Sequence, residues 1–248
     1  MVRYVVHLSC NVTLIIVQDQ CRLVRRGDAV FTVLLASLLP GLFWLWYFNR
    51  YDVHDKEPFL ELVRCLIFGA LAVIPALIWE APFRSMLQGT NHPFTALALS
   101  FVVVGLGEET FKLAAVYLAV FRSEHFSEPM DGIIYAIAAS IGFSVVENVL
   151  YISAFGLAVA PLRGTIATLA HIAFAGLAGY FLGQARFSDR PFSQLLLGLS
   201  VAAFAHGLYD FLLISRLISP FVLVFLILGL HYVLIQVIRK AVKSSQGR

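Results

Sequence analysis

A chain of 248 residues with 60% hydrophobic and only 13% charged residues lacks the polar surface that a water-soluble globule needs, because about 25% of a soluble domain is normally charged. The formal net charge is +3. The basic residues form no cluster interleaved with aromatic residues, which argues against nucleic acid as a partner. A modest basic excess is instead typical of the cytoplasmic loops of a membrane protein.

Seven stretches are apolar enough and long enough to cross a bilayer as helices, which takes about 20 residues each. In chain order they cover residues 29–48, 62–83, 94–121, 132–155, 162–183, 193–214 and 217–238. The loops between them are too short to hold a folded domain. The sequence therefore predicts an all-α fold, a polytopic transmembrane helical bundle of about seven spans.

The predicted bundle occupies residues 28–239. Residues 1–27 are interpreted as an interfacial tail or as a stretch from a wrongly chosen start codon, and residues 240–248 as a basic C-terminal tail. Lys and Arg are more frequent in the loops after the first, third and fifth spans and in the C-terminal tail, which favours a cytoplasmic C terminus. Four arginines in the N-terminal tail favour the opposite orientation, namely Arg3, Arg22, Arg25 and Arg26.

The fifth span carries small residues at every fourth position, namely Ala175, Gly179 and Gly183. Residues spaced by four lie on one helix face, and a face of small residues lets another membrane helix approach closely. This pattern predicts tight helix packing rather than chemistry.

Ionisable residues are concentrated in the third to sixth spans, where each costs roughly 2.5–3.5 kcal/mol at the bilayer centre. The set comprises Glu108, Glu109, Lys112, Glu147, His171, His206 and Asp210, with Asn148 next to Glu147. Left unpaired, it would cost on the order of 15–20 kcal/mol. These groups are therefore expected to contact one another or water.

Spacing and depth both predict that these residues meet. Glu108 with Lys112, and His206 with Asp210, are four residues apart and share a helix face. At a rise of about 1.5 Å per residue, Glu108, Glu147, His171 and His206 lie roughly a third to a half of the way through the bilayer. The depth is measured from the side of the second, fourth and sixth loops. We expect one polar pocket, with no two of these four side chains more than about 12 Å apart.

Other ionisable residues have simpler interpretations. Glu80, Asp131 and Arg163 lie near span ends, where a long side chain reaches the interface. His231 is interpreted as a packing residue bonded to a neighbouring carbonyl. We assign no chemistry to these four residues.

The residue types suit peptide-bond hydrolysis. A buried glutamate is a suitable general base for water, and a histidine can orient the water or donate to the oxyanion. Alternatively, His171 and His206 with a carboxylate would hold a catalytic Zn²⁺. No H-E-x-x-H or H-x-x-E-H helix occurs, so a metal site would have to be assembled across helices. No G-x-S-x-G motif supports serine chemistry.

Two other function classes compete. Buried carboxylates and histidines also form the proton relays of transporters, but no internal repeat relates the two halves of this chain. A non-catalytic membrane scaffold would have no need for the acidic and histidine set.

Several elements resemble the PrsW family of intramembrane proteases, distant relatives of the CAAX prenyl endopeptidases. They are the E-E-x-x-K element Glu108–Lys112, the F-x-x-x-E-N element Phe143–Asn148, His171, and His206-x-x-x-Asp210, in that order; Asp131-Gly132, Pro40, Trp44 and the loop 52–58 also resemble the family. Residues 1–27 do not resemble the family's start, and Ala136 and Ala139 stand where more glycine is expected.

The resemblance implies a multi-pass peptidase of the bacterial plasma membrane that cleaves a membrane-anchored protein substrate. By this likeness Glu108 activates water, aided by Glu109 and by either Glu147 or His171. His206 and Asp210 would lie near the oxyanion or a metal. Lys112 and Asn148 would support the other residues. Whether a Zn²⁺ ion takes part is left open. With a cytoplasmic C terminus, the pocket and the cut lie in the outer half of the bilayer.

Overall fold

The computed structural model describes residues 27–51, 56–90, 92–215 and 219–245. All regular elements in these ranges are helical. Apart from Gly27, the predicted N-terminal tail lies outside the described residues. Seven helical spans are long and apolar enough to cross a membrane, which confirms the predicted fold class. In chain order they are Val30–Asn49, Phe59–Leu87, Pro93–Val120, Pro129–Phe155, Leu157–Arg186, Pro191–Ser215 and Phe221–Lys243.

The helices extend beyond the predicted stretches at several ends. The first helix runs from Gly27 to Asn49 and the last from Pro220 to Ser245, so much of the predicted basic tail is helical. The second span continues after Phe59–Glu80 through the 3₁₀ turn Ala81–Phe83 into Arg84–Gly89. As a result, residues near its predicted end lie inside a longer helical segment.

Two spans contain a π-helical segment shortly before a group of ionisable residues. In the third span, Pro93–Ala98 leads through the π-helical Leu99–Gly105 into Leu106–Val120. The fifth span begins with the short turns Leu157–Val159 and Ala160–Leu162, continues as the π-helical Arg163–Ala167 and ends as Thr168–Arg186. Such segments are frequent at functional sites, because the widened turn rotates the residues that follow it.

The fourth and fifth spans form the centre of the bundle. They pack against each other, the second span packs on the fourth, and the sixth packs on the fifth. Both central spans are mostly buried, whereas the first and last are mostly exposed on their outer sides. The exposed side chains there include Phe31 and Phe225, as expected for surfaces in contact with lipid.

The small-residue face of the fifth span packs directly against the fourth. A Cβ atom at Gly179 would collide with the carbonyl oxygen of Gly132, and one at Gly183 with that of Pro129. The predicted close packing is therefore confirmed. Ala136 sits within the same contact, opposite Gly179, so the glycine that allows close approach lies on the partner helix.

Candidate active site

Lys112 is the centre of a buried polar cluster. Its Nζ atom lies 3.0 Å from Oε2 of Glu108, 2.8 Å from Oε1 of Glu109 and 2.8 Å from Nδ1 of His171. An ammonium group has three protons and no acceptor, so the three contacts use all of its donors. The lysine side chain is only 2% exposed. The predicted pairing of Lys112 with the glutamates is present and also includes His171.

The contacts of His171 determine its tautomer. Because Lys112 can only donate, Nδ1 of His171 accepts, and the ring proton lies on Nε2. Nε2 is 2.7 Å from Oε2 of Glu147 and donates to that carboxylate. Both ring nitrogens of His171 are therefore occupied, and the imidazole is neutral.

Arg163 completes this side of the cluster. Its Nη2 atom forms an ion pair with Oε2 of Glu147 at 2.9 Å, its Nε donates to Oδ1 of Asn148 at 3.0 Å, and its guanidinium lies 3.9 Å from the ring centroid of Tyr151. The interpretation of Arg163 as an interfacial residue is wrong, because the fifth span begins earlier than predicted and places it inside the bundle.

Asn148 belongs to a separate polar layer beside Arg163. Its amide nitrogen donates to Oγ1 of Thr168 at 3.1 Å, and Ser144 lies 3.0 Å from the same hydroxyl oxygen. All three side chains are buried. The supporting role predicted for Asn148 is consistent with these contacts, which fix the guanidinium that holds Glu147.

His206 connects the third and sixth spans. Its Nδ1 is 2.8 Å from Oε1 of Glu109, and its Nε2 is 3.3 Å from Oδ2 of Asp210 and 3.9 Å from Oε2 of Glu108. The two spans approach closely because of Gly207, where a Cβ atom would lie 2.7 Å from the backbone of Phe101. The packing of small residues therefore sets the distance between the acid pair and the histidine.

A cavity of about 70 Å³ lies among these side chains, which is room for a few water molecules. The polar and charged residues that line it are Glu80, Arg84, Glu108, Glu147, Tyr151, Arg163, His171, His206, Tyr209 and Asp210. Glu109, Lys112 and Asn148 do not line it. The four residues predicted to converge therefore lie around one cavity, as expected from their shared depth.

The structure also changes the interpretation of Glu80 and Asp131 as interfacial side chains. Glu80 faces the cavity rather than the interface. Asp131 is 1% exposed and caps the fourth span by accepting hydrogen bonds from the backbone nitrogens of Ser127 and Glu128 at 2.7 and 2.8 Å. His231 does bond to a carbonyl as predicted, that of Ile227 at 3.0 Å.

Sequence reasoning therefore missed five lining residues, namely Glu80, Arg84, Tyr151, Arg163 and Tyr209. A signal was present for two of them, because Glu80 and Arg163 fall inside the predicted second and fifth spans, where an ionisable residue is costly. The other three gave no comparable signal. Arg84 follows its predicted span, and the aromatic side chains of Tyr151 and Tyr209 are ordinary in a bundle.

The side chains match a catalytic zinc site in type but not in arrangement. Glu108, His171 and His206 place ligand atoms within 4.8 Å of one another, and two histidines with a glutamate are a known zinc set. However, both nitrogens of His171 are engaged, and the ammonium of Lys112 touches two of the three candidate ligands. A cation there would displace this ammonium, so the residues as arranged do not fit a zinc ion.

Comparison with known proteins agrees with the site's residue pattern. The family model described as "PrsW family intramembrane metalloprotease" matches residues 57–238. The chain is 34% identical over 185 residues to "Protease PrsW" of Shouchella clausii (strain KSM-K16), covering 74% of this chain and 84% of that protein. It is 32% identical over 186 residues to "Protease PrsW" of Bacillus subtilis (strain 168), covering 74% of this chain and 84% of that protein.

A third relative, "Protease PrsW" of Geobacillus kaustophilus (strain HTA426), is 31% identical over 188 residues, covering 75% of this chain and 82% of that protein. No solved structure matches the chain. The matched region contains the second to sixth spans, most of the seventh and all seven ionisable residues singled out in the sequence. It favours a peptidase over a transporter or a scaffold. The chain belongs to the PrsW family of intramembrane proteases and is a multi-pass bacterial membrane protein.

Proposed function

We propose that the cavity hydrolyses a peptide bond of a membrane-anchored protein, with Glu108 as the general base for a water molecule. The observation that carries this proposal is the orientation of the acid pair. Glu108 lines the cavity, while Glu109 lies behind it and contacts Lys112 and His206. Of these two adjacent carboxylates, only the first can reach a substrate.

The chemical step uses residues already in contact. Glu108 takes a proton from a cavity water, and the resulting hydroxide attacks the carbonyl carbon of the scissile bond. When the C–N bond breaks, the same carboxyl group gives its proton to the leaving nitrogen. Oε2 of Glu108 is held at 3.0 Å by Lys112, while Oε1 has no hydrogen bond among the described residues and remains able to accept the proton.

His206 is assigned the stabilisation of the oxyanion. In its doubly protonated form it donates from Nδ1 to Glu109, while Nε2–H points toward the space between Asp210 and Glu108. A donor fixed there before the reaction lowers the barrier because no reorganisation is needed when the negative charge develops. Asp210 balances the imidazolium charge.

Glu147, Arg163 and Lys112 are assigned a positioning role. Lys112 orders the acid pair, and Arg163 orders Glu147, which in turn fixes the ring of His171. His171 then presents one defined face to the cavity. No step of this mechanism passes through a metal, because the hydrogen bonds of His171 leave no nitrogen for one.

The substrate is proposed to be a membrane-anchored protein that is cut near one face of the bilayer. The cavity includes Glu80 and Arg84, at the end of the second span, and Leu213, near the end of the sixth. Both ends lie on the side of the second, fourth and sixth loops, so water and substrate enter from that side. With a cytoplasmic C terminus, this is the outer face.

The test is cleavage by purified protein in detergent of a panel of single-span membrane-protein substrates. Glu108→Gln should abolish cleavage, because a neutral amide cannot accept the proton. Glu109→Gln should reduce it while leaving a measurable rate, since this residue acts through Lys112 and His206. Glu128→Gln, at the N-terminal cap of the fourth span, is a matched control outside the cavity. Wild-type rates for Glu108→Gln would end the proposal.

A further inference from the structure

Two opposite charges at the entrance of the cavity are not used by the proposed mechanism. Glu80 ends the regular helix of the second span, and Arg84 follows one 3₁₀ turn later. Both side chains line the cavity. They are four residues apart, a spacing that normally pairs a glutamate with an arginine on a helix. No ion pair joins them, because the tighter 3₁₀ turn between them changes their relative direction.

Arg84 is the residue whose donors are left unused. Its Nε and Nη2 atoms are buried and have no hydrogen-bond partner among the described residues. Buried polar groups in proteins are nearly always hydrogen-bonded, and an exception indicates a functional role or a missing partner. A guanidinium with two adjacent free N–H groups matches the two oxygens of a carboxylate.

The contact between the second and third spans gives the depth of Arg84. Trp79 donates from Nε1 to the carbonyl oxygen of Val103 at 2.9 Å, and its ring lies against Gly107, next to Glu108. Arg84 is five residues beyond Trp79, which is about 8 Å along the helix toward the second loop. An extended peptide covers this distance in roughly two to three residues.

We propose that Arg84 is a substrate-binding residue that recognises a carboxylate two or three residues from the scissile bond, on the side of the second loop. This inference rests on the proposed function, because it takes Glu108 as the place of the cut. The carboxylate is either an Asp or Glu side chain of the substrate or a free C terminus, since both present the same two oxygens to the guanidinium.

The charges that line the cavity restrict the preference for a substrate carboxylate to the depth of Arg84. Below Arg84, four carboxylates line the cavity. Arg163 pairs with Glu147 and His206 lies beside Asp210, so the repulsion comes from Glu80 and Glu108. A substrate acid at that depth would be repelled, and this repulsion is as important for specificity as the attraction at the entrance. The geometry therefore favours an acid at the level of Arg84 and disfavours one nearer the cut.

The experiment measures binding separately from cleavage. The probes are fluorescent single-span peptides in detergent micelles, in which one Asp is moved stepwise along the end of the span, each matched by an Asn peptide. Binding is measured by anisotropy with Glu108→Gln protein, so hydrolysis does not interfere. We expect one or two adjacent positions at which Asp binds about 10-fold more tightly than Asn, and Arg84→Met should remove this difference. Arg122→Met, an exposed arginine outside the cavity, is the matched control.

Two further arms make the result decisive. Peptides truncated at the preferred position, ending in a free carboxylate or an amide, distinguish a C-terminal carboxylate from an acidic side chain. Arg84→Glu should reverse the preference toward a Lys peptide, which an unfolded protein would not do. An Asp-to-Asn ratio that is the same for Arg84→Met and its parent, at every position, overturns the inference. That outcome leaves the role of Glu108 untouched, because cleavage is measured independently.

Discussion

The contacts of Lys112 allow a quantitative prediction for Lys112→Met. The substitution removes three hydrogen bonds and leaves Glu108 and Glu109 as neighbouring carboxylates in a buried site. Removing one partner of a buried ion pair costs about 3–5 kcal/mol. For a chain of this size, each kcal/mol lowers the melting temperature by about 2–4 °C. We therefore expect the melting temperature in detergent to fall by roughly 6–20 °C.

A double-mutant cycle separates this cause from a general loss of packing. Unfolding is followed by tryptophan fluorescence for Lys112→Met, for Glu109→Gln and for both together. Because Gln cannot carry the unpaired charge, the double variant should be more stable than the sum of the single effects predicts, by about 1–3 kcal/mol. Lys56→Met, at an exposed position, should change little. A coupling energy near zero would refute the assignment of Lys112 as the counter-charge of the acid pair.

Further predictions address the rest of the site. Arg163→Met should lower kcat by about 100-fold with little change in KM, because a displaced Glu147 also displaces His171. Arg163→Lys should recover part of this loss. Equal activity of the two variants would contradict the positioning role. Gly207→Ala should destabilise the protein by about 1–3 kcal/mol and lower its activity. Gly229→Ala is the control, because nothing lies within 4 Å of the added Cβ atom. It should leave the stability unchanged or raise it by up to about 1 kcal/mol. Excess EDTA should leave cleavage unchanged, and a loss that added Zn²⁺ reverses would contradict the metal-free mechanism. A reporter active only in the cytoplasm, fused to the C terminus, should give a signal; a silent reporter on an inserted protein would place the cut at the inner face.

Much of the fold could be predicted because the bilayer imposes a length on every span. Residues 94–121 were predicted as the third span, and the structure has Pro93–Val120. The breaks inside the spans could not be predicted. Leu99–Gly105 has the composition of an ordinary apolar helix, and nothing in the short sequence of Arg163–Ala167 is specific to a widened turn. A widened turn is stabilised by contacts with other spans, such as the bond from Trp79 to Val103, which a local pattern does not contain.

The seven ionisable residues of the third to sixth spans could be predicted as one group, but their individual orientations could not. An ionisable residue in a span is costly wherever it points, so Glu108, Glu109 and His171 stood out equally. Adjacent residues on a helix differ by about 100° in direction. Which of Glu108 and Glu109 faces the cavity therefore depends on the rotation of the third span, and the π-helical segment just before them changes that rotation.

Arg163 shows the same difficulty over a longer distance. Its partner Glu147 lies sixteen residues earlier, on another span, so no periodicity within one helix relates them. Its position near the predicted start of the fifth span suggested an interfacial side chain. Only the additional helical turns from Leu157 onward show that the guanidinium lies inside the bundle.

The balance of charge in the cluster is the reason to regard it as a hydrolytic site rather than a structural latch. A structural latch needs a base as the partner of each acid, because an unpaired buried charge costs about 3–5 kcal/mol. Here four carboxylates, two arginines and the His206 imidazolium of the proposed mechanism line the cavity, and the carboxylate of Glu109 and the ammonium of Lys112 lie behind it. Five carboxylates therefore face four cations, and Glu108 keeps one oxygen with no hydrogen bond to the part of the chain that the structure describes. That oxygen is a cost for stability in an apolar membrane, and it is also the feature that a general base requires.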